Sequence, residues 1–447
     1  MATNSIKQRP LSSQTSADPT ADTGLKLTSL EPHPAGAVRH GVVRETLQVL
    51  LISLYFFISA VSVHGAQFIG SPLYFINKDW YYAYMAMTKQ SFGILVTSMT
   101  YWWSPTLIRI SGDASVRGQL RKGADGRFES TFPSRMILVA NHQIYTDWLY
   151  LWWAAYSNAP HTMHGHVYII LKESLKYIPV IGPAMVFYGF IFMSRKWGND
   201  EPRLRYRLQK LNSRHSHPMS GDSIQSRAGK PSLDPMWLMI FPEGTNLSEN
   251  GRKGSAKWAE KSDQPDLRHA LLPRSTGLQF CLQELKPSVD WVYDCTIAYE
   301  GIATGQFGQD IFTLRSTYFQ GRPPKSVNMY WRRFWVGDIP VGDKNAFDKW
   351  LLERWREKDE LLEQYVQTGR FPADDGSDRL TTNGNGAAGK GVAAAGAGYI
   401  ETEVRPRQPL EFLQIFSPVA ATVLLINVIW KLWAIFGRAN MGAAAAV

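Results

Sequence analysis

From Leu47 to Ile76 the chain contains no Asp, Glu, Lys or Arg residue. Within this stretch the run LQVLLISLYFFISAVSV is apolar enough for a membrane helix, which needs about 20 apolar residues. The run lies too far from the first residue to be a secretory signal peptide. The sequence therefore predicts a membrane-anchoring helical segment over residues 44–110. It follows a tail, residues 1–43, whose Ser, Thr, Pro and Gly content is typical of disorder.

Two further apolar stretches are candidate membrane segments. The run SFGILVTSMTYWWSPTLI, Ser91 to Ile108, is borderline in length and either crosses a bilayer or dips into one leaflet. The run FLQIFSPVAATVLLINVIW, Phe412 to Trp430, follows residues 373–408, whose Gly and Ala bias indicates a flexible linker. We therefore predict N-terminal membrane helices and a C-terminal transmembrane helix within residues 409–437.

The distribution of positive charge predicts an orientation for these segments. Five Lys or Arg residues precede the first apolar segment, and only Lys78 and Lys89 lie between the first two. Because cytosolic flanks carry the excess of Lys and Arg, both outer flanks are expected in the cytosol. A two-helix hairpin and a monotopic arrangement both satisfy this pattern. The residues that follow the second segment are Arg109, Arg117, Arg121, Lys122 and Arg127.

Composition narrows the class of protein. The chain has 447 residues, a formal net charge of +10 and 13% aromatic residues, which suits a protein lying against an anionic membrane surface. Nucleic-acid binding is the other use of such charge, but the sequence has no zinc-ligand spacing, RNA-binding signature or basic helical repeat. Its two cysteines, Cys281 and Cys295, argue against a disulfide framework and suit a cytosol-facing domain.

Between Ser111 and Gly301, short apolar runs alternate with helical patterns. This alternation predicts an α/β fold, a mixed sheet flanked by helices, with active residues on loops beyond the strand ends. The polar stretch at residues 213–235 interrupts the rhythm and is typical of an exposed loop. The predicted strands are MILVA, VYIILK, FIFMSR, WLMIFPEG and CTIAYEG.

His142 and Asp147 lie five positions apart in VANHQIYTDWLYLWW. A chain of this composition is expected to contain on the order of 0.5 such pairs by chance alone. On a continuous helix the two side chains would point roughly 140° apart, so the pair needs a bend. The sequence supplies one, because a strand, RMILVA, and a loop, NHQIY, precede a helix with Thr146 as its predicted N-cap. The carboxylate can then fix one ring nitrogen of His142 and leave the other free as a general base.

The second motif is FPEGT, which directly follows the apolar run WLMI. Pro-Glu-Gly at a strand end predicts a turn, and taken alone it predicts only that Glu243 faces water. The conjunction of NHxxxxD with FPEGT resembles the glycerolipid acyltransferase family. The resemblance covers roughly residues 111–301, which we take as the acyltransferase domain, and GFIFMSR and LKESLKYIPVIGP match other blocks of that family.

Residues 302–372, with RRFWVGDIP and FDKWLLERWREKDELLEQY, are similar to the C-terminal module of the branch that contains lysocardiolipin and lysophosphatidylinositol acyltransferases. Asn246 stands where many lysophosphatidate enzymes have Arg, and YDCTIAYEG replaces a later Val-Pro block. Both departures favour a remodelling enzyme. Phe347, Trp350 and Trp355 fall near one face of the predicted helix, which either packs in the core or touches a membrane surface.

The resemblance implies transfer of a fatty acyl chain from acyl-CoA to the free hydroxyl of a lysophospholipid, namely lysophosphatidylinositol, lysophosphatidate or lysocardiolipin. Acyl-CoA is then a co-substrate, and no cofactor or metal is expected. The implied site is the endoplasmic reticulum membrane with the catalytic domain facing the cytosol, with mitochondrial and lipid-droplet membranes as alternatives. The implied catalytic residues are His142 and Asp147. The implied substrate-binding residues are Asn141, Gly189, Phe192, Arg195, Phe241, Pro242, Glu243, Gly244 and Thr245.

Within this set the resemblance suggests that Glu243 positions acceptor hydroxyls or neighbouring donors, and that Arg195 binds a phosphate. Arg195 also opens a basic run, RKWGNDEPRLRYRLQK, which alone would indicate a solvated or lipid-facing surface. The segment from Tyr177 to Ser194 carries no charge, but a crossing there would separate His142 from Glu243. We expect it to form a loop, a short helix and a buried strand.

Two other classes of function remain open on the sequence alone. A lipid or acyl-CoA hydrolase would use the same His-Asp pair on water, and a catalytically silent membrane scaffold would not use it at all. A hydrolase of the usual kind carries an activated Ser in a G-x-S-x-G elbow, which this sequence lacks. A scaffold would have no reason to keep the His, the Asp and the Glu-Gly turn together.

Overall fold

One mixed sheet of eight strands positions the loops that carry both motifs. The computed structural model describes residues 33–36, 41–215, 232–374 and 398–444. The helices are α1 Val42–Gly70, α2 Leu73–Ile76, α3 Lys78–Trp103, α4 Asp147–Tyr156, α5 Ile181–Phe187, α6 Trp197–Leu211, α7 Glu249–Lys261, α8 Ser275–Leu285, α9 Gly308–Ile311, α10 Lys344–Thr368 and α11 Ser417–Ala444. The strands are β1 Leu107–Gly112, β2 Leu120–Lys122, β3 Phe128–Ser130, β4 Arg135–Ala140, β5 Val167–Lys172, β6 Ile191–Met193, β7 Arg214–His215, β8 Ser232–Leu233, β9 Met236–Ile240, β10 Trp291–Tyr299, β11 Ser326–Trp335 and β12 Ile400–Glu403.

The strand order of the large sheet is β12-β1-β11-β10-β4-β9-β5-β6. Strands β10, β4, β9, β5 and β6 run parallel to one another, whereas β11 pairs antiparallel with β10. All five predicted strands are present, and the predicted α/β mixed sheet flanked by helices is confirmed. The parallel arrangement brings the carboxyl ends of β4, β9 and β6 to one edge, where the two motifs follow their strands.

The apolar runs form strands because helices cover both faces of the sheet. Successive residues of β4 alternate between the two faces: Met136 and Leu138 belong to one hydrophobic cluster, and Ile137 and Val139 to the other. The first cluster includes residues of α3 and α4, and the second includes residues of α8 and α10. Every residue of strand β9 is buried, which fixes the position of the loop that follows it.

Residues 302–372 do not form a separate structural unit, because β11 lies inside the sheet between β1 and β10. Helix α10 buries Phe347, Leu351, Trp355 and Leu362, so of the two alternatives for this helix the structure shows packing in the core. The prediction of a flexible linker over residues 373–408 is wrong for its last part. There β12 pairs antiparallel with β1 and completes the sheet edge, because β1 would otherwise leave its backbone groups unpaired.

The second predicted membrane segment, Ser91 to Ile108, is not one helix. Its first part lies in α3 and its last residues begin β1. Leu95 is fully buried, and the Lys89 ammonium lies 3.7 Å from the centre of the Tyr168 ring of β5. Since β5 belongs to the central sheet, α3 packs on the domain that carries His142 and is not the second arm of a membrane hairpin.

Among the described residues, one helical stretch, Val43–Ile76, is long and apolar enough to cross a membrane. The C-terminal helix has a shorter apolar part, Ser417–Trp433. The uncharged segment from Tyr177 to Ser194 forms a turn, the short α5 and β6, as predicted. Most of the predicted disordered tail, the middle of the polar loop at 213–235 and residues 375–397 lie outside the described residues.

Candidate active site

His142 and Asp147 meet at the carboxyl end of β4. The His142 Nδ1 atom lies 2.7 Å from Asp147 Oδ2, and Phe241 stacks on the imidazole with ring centres 4.4 Å apart. Asp147 is the first residue of α4, and Thr146 occupies the N-cap position without a hydrogen bond from its side chain. The bend between strand and helix therefore brings together two side chains that would point apart on a continuous helix.

The Asp147 carboxylate is completely buried and holds the whole loop. Its Oδ2 atom also accepts hydrogen bonds from the backbone N–H groups of Gln143, at 2.6 Å, and Ile144, at 3.0 Å. Its Oδ1 atom accepts one from the Tyr299 hydroxyl at 2.5 Å. Burial, and then the Asp147 carboxylate, raise the pKa of Tyr299 well above its usual value, so the phenol keeps the proton that it donates. The carboxylate is thereby fixed before it contacts the imidazole.

Glu243 lies inside the protein and not on a turn that faces water. Burial raises the pKa of its carboxyl group to about 8, against the smaller opposing effects of Trp355, Lys358 and the backbone amides of His142 and Leu271. Trp355 Nε1 is 3.4 Å from Oε1, and within the described residues Oε2 has no hydrogen-bond partner. Burial therefore favours the neutral form of this carboxyl group.

The FPEGT loop is joined to the histidine loop through its backbone. Leu247 N–H donates to the His142 carbonyl at 2.7 Å, and Gly244 N–H closes a turn on the Phe241 carbonyl at 3.0 Å. Gly244 has φ of 72°, in the left-handed region, where its missing side chain avoids strain. Next to this turn, the Asn246 amide contacts the side chain of Gln309 in α9. The two motifs thus form one rigid wall.

Arg195 follows β6 at the same edge and also adopts a positive φ, 68°. Asp200 stabilises this uncommon conformation by accepting hydrogen bonds from Ser194 N–H at 2.7 Å and Lys196 N–H at 3.1 Å. The exposed guanidinium donates to the Gly244 carbonyl at 2.6 Å. Arg195 is therefore held beside the FPEGT turn with donors left over for a ligand.

Three residues predicted to bind substrate lie in the sheet or at its edges, and their contacts are with the protein itself. The buried Asn141 amide donates to the Ile297 carbonyl at 2.9 Å and accepts from Ile297 N–H at 2.8 Å, so it ties the histidine loop to β10. Gly189 precedes β6 at the opposite edge of the sheet and has φ of 74°. Phe192 packs in the hydrophobic core. Among the FPEGT residues, Pro242 is buried and its carbonyl accepts from Arg274 N–H at 2.8 Å.

A groove of about 1170 Å³ opens beside the FPEGT loop, between α7 and the first turns of α10. Glu243 and Thr245 form part of its wall, and the Arg274 side chain lies against Gly244. The groove is strongly basic, which suits a phosphorylated ligand. Its cationic side chains are Arg195, Lys257, Lys261, Arg274, Lys344 and Lys349.

Comparison with known proteins identifies the family. The acyltransferase family model matches residues 125–300, and the model named acyltransferase C-terminus matches residues 317–388. An uncharacterized acyltransferase of Schizosaccharomyces pombe is 34% identical over 84% of this chain and 94% of its own length. The chain belongs to the glycerolipid acyltransferase family. Two further members are a 2-acyl-1-lysophosphatidylinositol acyltransferase of Saccharomyces cerevisiae, 39% identical over 66% of this chain and 78% of the relative, and lysocardiolipin acyltransferase 1 of Mus musculus, 28% identical over 70% and 73%.

Three residues of this acyltransferase were not found from the sequence. Tyr299 lies at the end of β10, which runs parallel to β4, so the strand register could have placed it near Asp147. Asp200 lies five residues after Arg195 in a basic run, and its neighbours gave no reason to single it out. Arg274 lies in a loop between two helices, and only the folded chain brings it to Gly244.

Proposed function

We propose that the protein transfers a fatty acyl chain from acyl-CoA to the free hydroxyl of a lysophospholipid, with His142 as general base. One observation carries the proposal: Asp147 engages His142 Nδ1, while no described side chain is hydrogen-bonded to Nε2. A proton on Nδ1, held by the carboxylate, leaves the Nε2 lone pair to accept a proton from a ligand.

In the proposed reaction Nε2 removes the proton of the acceptor hydroxyl as that oxygen attacks the thioester carbonyl carbon. The tetrahedral intermediate collapses by breaking the carbon–sulfur bond, and the new imidazolium returns its proton to the leaving thiolate. The products are the acylated lipid and free coenzyme A. Asp147 stabilises the imidazolium between the two steps because its carboxylate lies 2.7 Å from Nδ1.

The surroundings of His142 favour direct attack by the acceptor over an acyl-enzyme. Among the described residues, no serine or cysteine is hydrogen-bonded to the imidazole. Burial raises the pKa of both cysteine thiols, Cys281 and Cys295, so neither is an activated thiolate. A hydrolase that forms a covalent intermediate therefore has no nucleophile in the described part of this site.

Arg195 and Arg274 flank the Gly244 turn, and together they suit the phosphate of a lysophospholipid, because guanidinium groups bind phosphate through paired donors. The further lysines of the groove suit the phosphates of acyl-CoA. Lysophosphatidylinositol is the first acceptor to test, because a relative 39% identical to this chain is named for it.

We further propose that the enzyme works on a bilayer, the endoplasmic reticulum membrane, with its site on the cytosolic side. Helix α1 exposes Leu47, Leu50, Leu54 and Phe57, and the C-terminal helix exposes Leu424, Ile426 and Trp430 along most of its described length. Apolar side chains in such number are costly in water and favourable in lipid.

The decisive experiment uses the purified full-length protein with labelled acyl-CoA and a panel of lysophosphatidylinositol, lysophosphatidate, lysocardiolipin and lysophosphatidylcholine. We expect acylated product with at least one phosphorylated acceptor and little release of coenzyme A in its absence. Release that is equal with and without acceptor would establish the hydrolase. No turnover with any acceptor, from purified protein that is intact and folded, would favour the scaffold.

A further inference from the structure

A second cavity, of about 90 Å³, lies beneath α3 at the amino ends of β5 and β9. His142 lies beyond the carboxyl end of β4, which is parallel to β9 and thus to β5, so the cavity and the active site occupy opposite edges of the sheet. The reaction proposed above uses no residue of this cavity.

Lys89, on α3, is the unusual residue of the cavity. Its side chain is 2% exposed, and its ammonium has aromatic neighbours but no hydrogen-bond partner among the described residues. The rings of Tyr168, Phe190 and Tyr188 lie 3.7, 5.8 and 6.0 Å away. Burial lowers the pKa of Lys89 well below its usual value. A lysine in this place destabilises the empty fold, since a methionine would fill the same space without a charge.

His166, at the wall of the same cavity, repeats this pattern. It is 4% exposed, and its Nε2 atom has no hydrogen-bond partner in the part of the chain that the structure describes. Burial, and then Lys89, lower the pKa of His166 to about 3, so the ring is neutral and can present one N–H. Two buried polar groups of one cavity therefore lack the partner that buried groups normally have.

The charges around these two groups select an anion. Four basic side chains line the cavity, Lys89, Arg135, Arg207 and Lys210, together with the two carboxylates of Asp79 and Asp234. Arg135 is occupied by the carbonyls of Leu211, Asp234 and Ser288, and both carboxylates have partners of their own. Arg207 and Lys210 are half-buried at the C-terminal end of α6, where the cavity opens.

We propose that this cavity is a second ligand site, which binds a phosphate group through the Lys89 ammonium, the His166 N–H and the cations of α6. A phosphate accepts several hydrogen bonds at once, and its charge favours the protonated form of the lysine. Just before Asp79 in the chain, Tyr74, Phe75 and Ile76 are exposed, as is Trp80. These apolar side chains place the opening next to a surface that suits lipid, so the phosphate comes from an anionic lipid headgroup or from solution.

The test measures binding of inorganic phosphate to full-length protein that carries Arg195→Ala, which removes a key phosphate-binding group of the catalytic groove. Titration calorimetry and melting temperature are followed at constant ionic strength. We expect saturable binding that Lys89→Met weakens at least tenfold. Lys122→Met, an exposed lysine on β2, is the control with the same loss of charge and should leave the affinity unchanged.

Because Lys89→Met could disturb folding, a second variant, Arg207→Gln, changes a side chain outside the core. This variant should weaken phosphate binding severalfold without a change in the melting temperature of the phosphate-free protein. Flotation with phosphatidylcholine vesicles, with and without phosphatidate, distinguishes a lipid headgroup from free phosphate as the ligand. If the headgroup is the ligand, phosphatidate increases binding and Lys89→Met removes the increase. If free phosphate is the ligand, Lys89→Met does not change binding to either kind of vesicle. The proposal would be overturned if phosphate binding were not saturable. It would also be overturned if both cavity variants bound phosphate as tightly as the protein that carries Arg195→Ala alone.

Discussion

The histidine loop and the Arg195 turn lie at the same edge of the sheet but are built in opposite ways. Asp147 is fully buried and its two oxygens contact three backbone or side-chain donors besides the histidine. Arg195 is exposed and only its supporting carboxylate, Asp200, is buried. The proposed roles explain this difference, because a proton transfer needs fixed geometry, whereas capture of a charged ligand needs an accessible cation.

The largest expected effect falls on the buried side of this comparison. His142→Ala should lower kcat by about 10²–10⁴-fold, the usual contribution of a general base, with little change in melting temperature because the side chain is 20% exposed. The measurement is single-turnover acyl transfer by purified protein. Near-normal turnover in this variant would remove His142 from the mechanism.

Asp147→Asn should lower kcat less than His142→Ala and should cost more stability. The amide places an N–H group where the carboxylate now accepts hydrogen bonds, so the expected loss is about 1–3 kcal/mol in the free energy of unfolding. Denaturant titration and the same transfer assay, run side by side, check both parts. A variant that loses activity but no stability would show that the loop is held by other contacts.

On the exposed side, Arg195→Ala should raise KM for a phosphorylated acceptor and leave kcat and stability nearly unchanged. A charged hydrogen bond is worth about 1.5–3 kcal/mol, which corresponds to about 10–100-fold in KM. The KM of Arg195→Lys should lie between those of the wild type and Arg195→Ala, since lysine keeps the charge but loses the planar guanidinium. Equal effects of both variants would mean that Arg195 acts only through surface electrostatics.

Tyr299→Phe removes one hydrogen bond to Asp147 with almost no change in side-chain volume. We expect a loss of about threefold to tenfold in kcat, from roughly 1 kcal/mol. Transfer assays with the purified protein check this expectation, and an unchanged kcat would show that Tyr299 only fills space.

The last expected effect concerns stability and its dependence on pH, not turnover. The folded-state pKa of Glu243, about 8, lies above its usual value of 4.5, so the native state holds more protons than the unfolded chain between these limits. Stability from this group is lost as pH rises from 4.5 through 8. Glu243→Gln does not titrate, so its melting temperature relative to the wild type should rise from pH 5 to pH 9. A constant difference would place the carboxyl in a more polar setting.

Much of the fold was predictable because both faces of the sheet are covered. Strands such as MILVA and WLMI must then be apolar throughout, and such runs are visible in any sequence. The bend between His142 and Asp147 was equally predictable, since the strand, loop and helix that make it are adjacent in the chain. The family, too, followed from two short motifs and is confirmed by the relatives.

Other features were decided only by contacts between distant parts of the chain. Asn141 is paired with Ile297, 156 residues away, and Glu243 is covered by Trp355, 112 residues away. The apolar content of residues 91–108 suggested a membrane span, but packing against β5 makes α3 part of the catalytic domain. Local sequence sets hydrophobic periodicity and turns, whereas burial of a polar group depends on which surfaces meet. For that reason the two motifs could be identified from the sequence, whereas the distant residues that contact them could not.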